Sequence, residues 1–354
     1  RCGGCHYQHL AIDHQVHWKL QIVRETLQRI GKTTWDSEIT VHQATPWNYR
    51  NQAQLKVAAN EAGEIELGFF EGESHQLVPI DECLILSPLL NHVLGQLRRP
   101  EWLAKLRGCR EVELQADDQD GRARITFRGK PEAGEPEFLA KDLIREVEGV
   151  VAVAFVDNGN SETFGQPDFI YQVGEFRYQL SPSAFFQSSR YLLPELVSAV
   201  TGAVPGGLAL DLYAGVGLFT LPLARRFRQV IGVESHPAAA RDMKTNVASH
   251  GLENVRAVGQ PTSDFLRRFA QTRPDLVVLD PPRCGAGKST LKYLVDLQPP
   301  RVHYVACHPP TWARDLSYLL SRNYRLEGVE MFDCFPHTYH IECLARLVRQ
   351  EQAA

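Results

Sequence analysis

No stretch of this chain approaches the roughly 20 apolar residues a membrane-spanning helix needs, so nothing in it is expected to cross a bilayer. No charged-then-apolar leader with a small-residue cleavage site opens it, which points away from secretion and toward the cytoplasm. Internal repeats and low-complexity tracts are missing, excluding solenoid and compositionally biased architectures. There is no basic surplus either: the net charge is −4, which argues against a strong non-specific binder of polyanions. A starting methionine is also lacking, and with Arg1 in first place the natural start is expected upstream.

What is present is a chain of 354 residues, long enough for a sizeable core and two domains. Charge is unevenly divided. Residues 1–180 hold 19 Lys and Arg against 27 Asp and Glu, whereas 181–354 hold 19 against 15. A basic footprint is therefore expected in the second half, with Arg225, Arg226, Arg228, Arg267 and Arg268 as candidates, although a solvated helix face would show the same cluster. Eight cysteines without a leader read as reduced thiols, some of them ligands or nucleophiles. Cys2 and Cys5 form a glycine-rich C-x-x-C, which alone is compatible with zinc, a redox pair, an iron–sulfur corner or no role.

Val16, Leu20, Val23, Leu27 and Ile30 recur at helical spacing and predict an amphipathic helix over residues 10–30, with Gly31 as its stop. Alternating stretches at 51–59 and 65–71 read as strands, 88–107 as helix, and VELQAD with ARITFRG as a hairpin around DDQDG. A helix at 138–148, the buried strand VVAVAFVD and short strands through 171–180 complete an α+β half, residues 1–182. Cys83 lies on an apolar segment of it.

From Ser183 the pattern becomes strand–helix alternation, the signature of a doubly wound α/β sheet. Its opening unit is LALDLYAGVGLFTLPLA: a strand ending on Asp211, a turn with Gly215 and Gly217, and a helical pattern through Ala224. The strand QVIGVES ends on Glu234, 23 residues after Asp211, where an acid commonly accepts hydrogen bonds from a ribose. DLVVLDPPR ends on Asp280 and VHYVACHPP on Cys307. Ligands of such sheets sit beyond the carboxyl ends of the strands, and the chemically loaded residues fall there.

The segments RCGGC, WNYRNQAQLKV, ECLILSP, SAFFQSS, LDLYAGVGLFTLPLA, VIGVES, LDPPRCG, YVACHPPTWARDL and FDCFPHTYHIE together resemble the RNA uracil-5-methyltransferases. The resemblance runs from the first residue to the last strand. It implies a Rossmann-like, S-adenosylmethionine-dependent methyltransferase domain at 183–354. It also implies a smaller α+β central domain at 1–182 with a 4Fe–4S cluster, the 10–30 helix packing on the catalytic domain. Carbon 5 of uracil is a poor nucleophile, and a thiolate adding to carbon 6 would activate it; a base must later remove the carbon-5 proton. By resemblance Cys307 is that nucleophile, Glu342 the base and Asp280 the acid holding the uracil edge. Gln187, Asp211, Tyr213, Gly215, Glu234 and Asp280 form the implied cofactor pocket, Arg283 balances charge or holds a phosphate, and Phe185 offers a stacking face for a flipped base.

The cluster pattern is Cys, five residues, Cys-x-x-Cys and a distant fourth Cys. Cys2, Cys5 and Cys83 fit the last three positions, and the first would precede residue 1. Zinc with His6 or His9, or idle thiols, are the competing interpretations. Ser189 and His308 depart from the family pattern, which has Asn at the first position and Asn or Asp at the second. His337 and His340 are expected to hydrogen-bond locally, and Cys109 and Cys343 to lie in the core. The expected partner is RNA, with 23S rRNA favoured over tRNA because bacterial tRNA members lack the cluster; the protein is expected to act as a monomer. A non-catalytic RNA-binding factor on the same fold, or a methyltransferase for small molecules or proteins, are the rival readings.

Overall fold

The computed structural model describes residues 2–132, 134–157, 160–202, 205–269 and 273–350. In the first half the strands are β1 (Thr40–His42), β2 (Gln52–Ala59), β3 (Ile65–Phe70), β4 (Leu77–Pro79), β5 (Cys109–Ala116), β6 (Ala123–Gly129), β7 (Val150–Asp157), β8 (Asn160–Gly165), β9 (Ile170–Val173) and β10 (Phe176–Gln179). The second half adds β11 (Gly206–Leu212), β12 (Phe227–Glu234), β13 (Val255–Gly259), β14 (Leu276–Leu279), β15 (Arg301–Ala306), β16 (Tyr324–Phe332) and β17 (Glu342–Arg349). Among the described residues no helix is long and apolar enough to cross a membrane.

The smaller sheet runs β4-β3-β2-β5-β6-β7-β8 and is antiparallel except where β6 lies parallel to β7. That parallel step needs a crossover, supplied by the helix Pro136–Glu146, whose Leu139, Ala140 and Leu143 are buried. A second helix, Pro88–Leu97, starts where Ser87 accepts a hydrogen bond from the Leu90 amide and a proline occupies the first turn. It buries Leu90, Val93, Leu94 and Leu97 against the same sheet face. The continuous helix expected at 88–107 stops at Leu97 because Pro100 starts a new short turn, Pro100–Leu103.

The larger sheet has the order β1-β16-β17-β15-β14-β11-β12-β13. Strands β11 to β15 are mutually parallel, β17 runs antiparallel between β15 and β16, and β1 adds a parallel edge. The order reverses at β11, with β12 on one side and β14 on the other, and this switch point opens a crevice beyond the strand ends. Because β17 is antiparallel, its first residue, Glu342, arrives at the same edge where β14 and β15 finish.

Residues 1–182 do not share one core, and the expected division at 182/183 is not the division of the packing. The helix Ile12–Arg29 buries Val16, Val23 and Leu27 in the core of the larger sheet, in contact with the helix Pro309–Leu320. Each such side chain contributes about 1.5–3 kcal/mol. The hairpin β9–β10 also packs into that sheet's other face, through Tyr171, Val173, Phe176 and Tyr178.

Candidate active site

The turn after β11 carries three residues in the left-handed region within five positions: Tyr213 (φ 64°), Gly215 (φ 56°) and Gly217 (φ 95°). A side chain on Gly215 would meet nothing within 4 Å, so its backbone borders open space at the crevice, as a ligand cradle requires. Gly217 is different, since a Cβ there would fall 2.9 Å from Leu221 and 3.3 Å from Met243. The Gly215 amide donates to Glu234 Oε2 at 2.9 Å, and Glu234 Oε1 accepts from the His236 amide at 2.6 Å. The turn is thereby tied to the end of β12. Tyr213 reaches the opposite wall, its hydroxyl donating to the Ala286 carbonyl at 2.7 Å.

The helix expected through Ala224 is a single turn, Thr220–Leu223. Phe227 must already start β12, leaving no length for more, so the crevice is lined by the glycine turn and not by a long helix dipole. Asp211 lies beneath this turn, fully buried, accepting from the Thr220 hydroxyl while its Oδ1 has no partner among the described residues. Burial pushes its carboxyl up to about 7 against the opposing pull of the Thr220 hydrogen bond.

Asp280 follows β14 directly, and burial together with the charge of Asp211 raises its carboxyl. Cys307 follows β15. Half-buried, its thiol is pushed up to about 11 by burial, then by Glu342 and Asp280, while the charge and hydrogen bond of Arg283 pull the other way. The low-pKa cysteine the chemistry asks for is therefore not present in the resting pocket, because two carboxyls crowd it and one guanidinium opposes them. Glu342 is 2 % exposed, its Oε1 unpartnered among the described residues, and burial followed by Asp280 holds it well above the usual carboxylate range. Three acids and one thiol thus gather at the strand ends, Asp211 and Glu342 buried and Asp280 and Cys307 half-buried.

The loop bearing Arg283 is locked from below by Asp315, a residue missed in the sequence. Asp315 is buried and accepts from the Ala286 amide at 2.8 Å and the Tyr304 hydroxyl at 2.6 Å. His308 contacts Thr311 at 3.0 Å, and the Thr311 hydroxyl donates to the Arg283 carbonyl at 2.9 Å, so this departure from the pattern braces the same loop. Ser189, the other departure, is buried; it pairs with Arg50 across an isolated bridge and hydrogen-bonds the Cys334 thiol.

Phe186 turns inward against Tyr171 and Tyr178, which forces Phe185 outward to 72 % exposure. Half-buried Gln187 follows two positions later. This segment runs beside Tyr49–Asn51: the Asn51 amide donates to the Ser188 carbonyl at 3.1 Å and the Arg190 amide to the Tyr49 carbonyl at 2.9 Å.

The loop leading into Glu342 is held by residues that sequence reasoning overlooked. Lys19 and Gln15 are both wholly buried. Lys19 Nζ lies 2.6 Å from Asp333 Oδ1 and donates to the Phe335 carbonyl at 2.9 Å. Gln15 Oε1 accepts from the His337 amide at 2.8 Å, and its Nε2 lies 3.2 Å from His337 Nδ1. His337 is in the left-handed region (φ 66°) and stacks on Trp47 at 4.0 Å. Its carbonyl accepts from the amides of His6 and Tyr7 at 2.7 and 2.9 Å, so the C-x-x-C segment is pinned to this loop. The rings of His337 and His340 meet Gln15 and Arg283, residues far away in sequence, and not the local partners expected; Cys109 and Cys343 are buried, as expected.

Cys2, Cys5 and Cys83 come together on the smaller domain. Burial, then Cys83 and Cys2, push the Cys5 thiol up to about 11, and Arg50 opposes them. Cys83 is likewise raised, with backbone amides of Ile85 and Leu86 pulling it down. The Gly4 amide donates to Cys2 Sγ at 3.4 Å, and a side chain on Gly3 would fall 2.8 Å from Gly72, so the turn is closely fitted. Among the described residues, no group of three or more His, Cys, Asp or Glu is gathered tightly enough to hold a metal ion. The donor set is soft, three thiols with amides aimed at two of them, and in kind it suits an iron–sulfur centre.

A family model for tRNA (uracil-5-)-methyltransferases matches residues 171–350. An uncharacterized RNA methyltransferase of Gloeobacter violaceus is 33 % identical, with 99 % of this chain aligned to 81 % of that protein. The chain belongs to the RNA (uracil-5-)-methyltransferases. A second such relative, from Caldanaerobacter subterraneus subsp. tengcongensis, is 31 % identical over 99 % of this chain and 82 % of its own. The tRNA (uracil-54, C5)-methyltransferase of Pyrococcus abyssi, solved with S-adenosyl-L-homocysteine, superposes with a TM-score of 0.79 at 26 % identity, covering 98 % of this chain and 86 % of that one. This methyltransferase thus carries out S-adenosylmethionine-dependent methylation of uracil carbon 5 in RNA.

Proposed function

We propose that the enzyme methylates a uridine of 23S rRNA through a covalent adduct on Cys307. The observation carrying the mechanism is the convergence of half-buried Cys307 and Asp280 on buried Glu342, whose Oε1 has no partner among the described residues. Bound S-adenosylmethionine supplies a methyl group on a sulfonium; Gln187, Asp211, Tyr213, Gly215, Glu234 and Asp280 border its pocket. The Cys307 thiolate adds to carbon 6 of the uracil, placing electron density on carbon 5. Asp280 holds the uracil edge. After carbon 5 is methylated, Glu342 takes its remaining proton, the carbon 6–sulfur bond breaks and the thiolate leaves. Glu342 takes this proton as the carboxylate, and its place beside Cys307 and Asp280 suits it to the role.

Cys2, Cys5 and Cys83 are, in this reading, three ligands of an iron–sulfur cluster that organises the RNA-facing side of the smaller domain. Iron and sulfide content of anaerobically purified protein checks this. The cluster is also what favours 23S rRNA. The likeness to the archaeal tRNA enzyme supports a second reading, tRNA as substrate.

Labelled S-adenosylmethionine with unmodified 23S rRNA or tRNA, followed by nucleoside mapping, decides between them. Glu342→Gln is expected to accumulate an RNA–protein adduct that survives denaturing gels, and a Cys307→Ser change in the same chain to abolish it. An active wild type whose Glu342→Gln variant traps nothing would sink the covalent scheme.

A further inference from the structure

Between Cys307 and the C-x-x-C segment runs a continuous surface that the methyl-transfer chemistry does not use. Arg283 hydrogen-bonds the Cys307 thiol, and its Nη2 lies 3.4 and 3.2 Å from the two ring nitrogens of His340. Nearly equal distances set the guanidinium against the imidazole as a whole and not in line with one lone pair. His340 packs on Tyr339 with centroids 4.4 Å apart, and Tyr339 packs on His6 at 4.3 Å. Tyr339 is 50 % exposed, His6 is exposed, and no hydrogen bond from the Tyr339 hydroxyl is found among the described residues. The ring is left open although the loop around it is closely tied. Asp333, Phe335, Pro336 and His337 all bond to neighbouring elements.

We propose that Tyr339, backed by His6 and His340, is the stacking platform for the unpaired base next to the target uridine. The platform rests on the uridine-methylating reading and deepens it. Two features name the occupant. Stacking on aromatic faces suits splayed single-stranded bases, which an enzyme that flips its target necessarily creates beside it. Charge complementarity agrees, since Arg283 contacts His340 and the charge of Arg50 also acts on it, both guanidiniums suited to backbone phosphate. Continuity decides the position: the platform begins one residue beyond the guanidinium that touches the nucleophile, so it meets a neighbour of the uridine and not the uridine itself.

The test is a cycle of protein and RNA changes. An oligonucleotide is cut from whichever of 23S rRNA or tRNA the wild type methylates, and abasic sites replace the nucleotides on either side of the target in turn. Tyr339→Ala is expected to raise the KM for intact RNA roughly tenfold, with kcat at saturating RNA and thermal stability unchanged, and Tyr339→Phe to restore it. One of the two abasic RNAs should weaken the wild type by a similar factor and remove the difference between wild type and Tyr339→Ala. An unchanged KM for Tyr339→Ala, or equal losses on intact and both abasic RNAs, overturns the platform. A Tyr339→Ala change in oligomeric state on sizing would assign the face to a second copy and overturn it too. If the wild type methylates no RNA, it is the uridine reading that fails; the platform alone fails when methylation proceeds without coupling.

Discussion

Cys307 sits where two carboxyls hold its proton on and a guanidinium favours its loss. Burial, Glu342 and Asp280 push the thiol up to about 11, and Arg283 is the group that opposes them. A raised thiol is mostly protonated at neutral pH, and its reactive fraction grows as pH rises toward that value. Replacing Arg283 by Met removes the opposing charge and hydrogen bond, so the thiol rises further. Alkylation of Cys307 by iodoacetamide, followed by mass spectrometry, is therefore expected to slow at fixed pH and to recover when the pH is raised. A rate that does not move would mean that Arg283 acts on the RNA alone. The residues of this corner were readable because each follows or opens a strand in a distinctive motif. Their proton affinities were not, since those arise from three acids brought together from β11, β14 and β17, separated by long stretches of sequence.

At the scale of the element, the helix Ile12–Arg29 shows where periodicity misleads. Its apolar spacing predicted Val16, Leu20, Val23, Leu27 and Ile30 as the inner face. Ile30 is exposed and Leu20 only half-buried, while Gln15 and Lys19 are wholly buried. A pattern of apolar residues cannot reveal a polar side chain whose partner, Asp333, is over three hundred positions away. The partner turns an apparent surface lysine into a fixture. Lys19 is lowered from its ordinary value by burial, against the pull of Asp333, so the ammonium depends on that carboxylate. Lys19→Ala should destabilise the protein by about 3 kcal/mol or more, because it strands Asp333 in a dry site. A double change of Lys19→Met and Asp333→Leu should cost clearly less, as read from denaturant midpoints. Equal losses would show that packing, not the ion pair, holds the loop. The strand ends, hairpin and crossover helix were by contrast legible, since local turn chemistry and alternation specify them without distant partners.

For the whole molecule, the two cores interleave along the chain. The first helix and β1 belong to the larger sheet, although the smaller sheet separates them in sequence from every other strand of it. A fragment of residues 183–354 would leave the β16 edge unpaired and uncover Trp312 and Leu316 where the first helix packs. It is expected to aggregate or to elute as oligomers on sizing, with loss of near-ultraviolet circular dichroism. A monodisperse folded fragment would show that the helix is an accessory. Composition and motif grammar divided the chain by sequence position. The packing divides it by which apolar faces match, and only the assembled sheets reveal that.

The placement of β17 has a further consequence, one that concerns biosynthesis. This strand lies between β15 and β16, yet among the strands described it is the last to be made. Until it emerges from the ribosome, β15 offers an open edge and β16 has no antiparallel neighbour. The first helix, synthesised long before, has no finished sheet to dock on, and Lys19 waits for Asp333. Glu342 opens that same strand, so the proton acceptor proposed above arrives with the piece that closes the larger sheet. Nascent chains are consequently held incomplete, with unpaired strand edges and no competent pocket, until β17 has emerged. Chaperone capture during synthesis should concentrate on chains that have passed residue 306 and not yet reached 349.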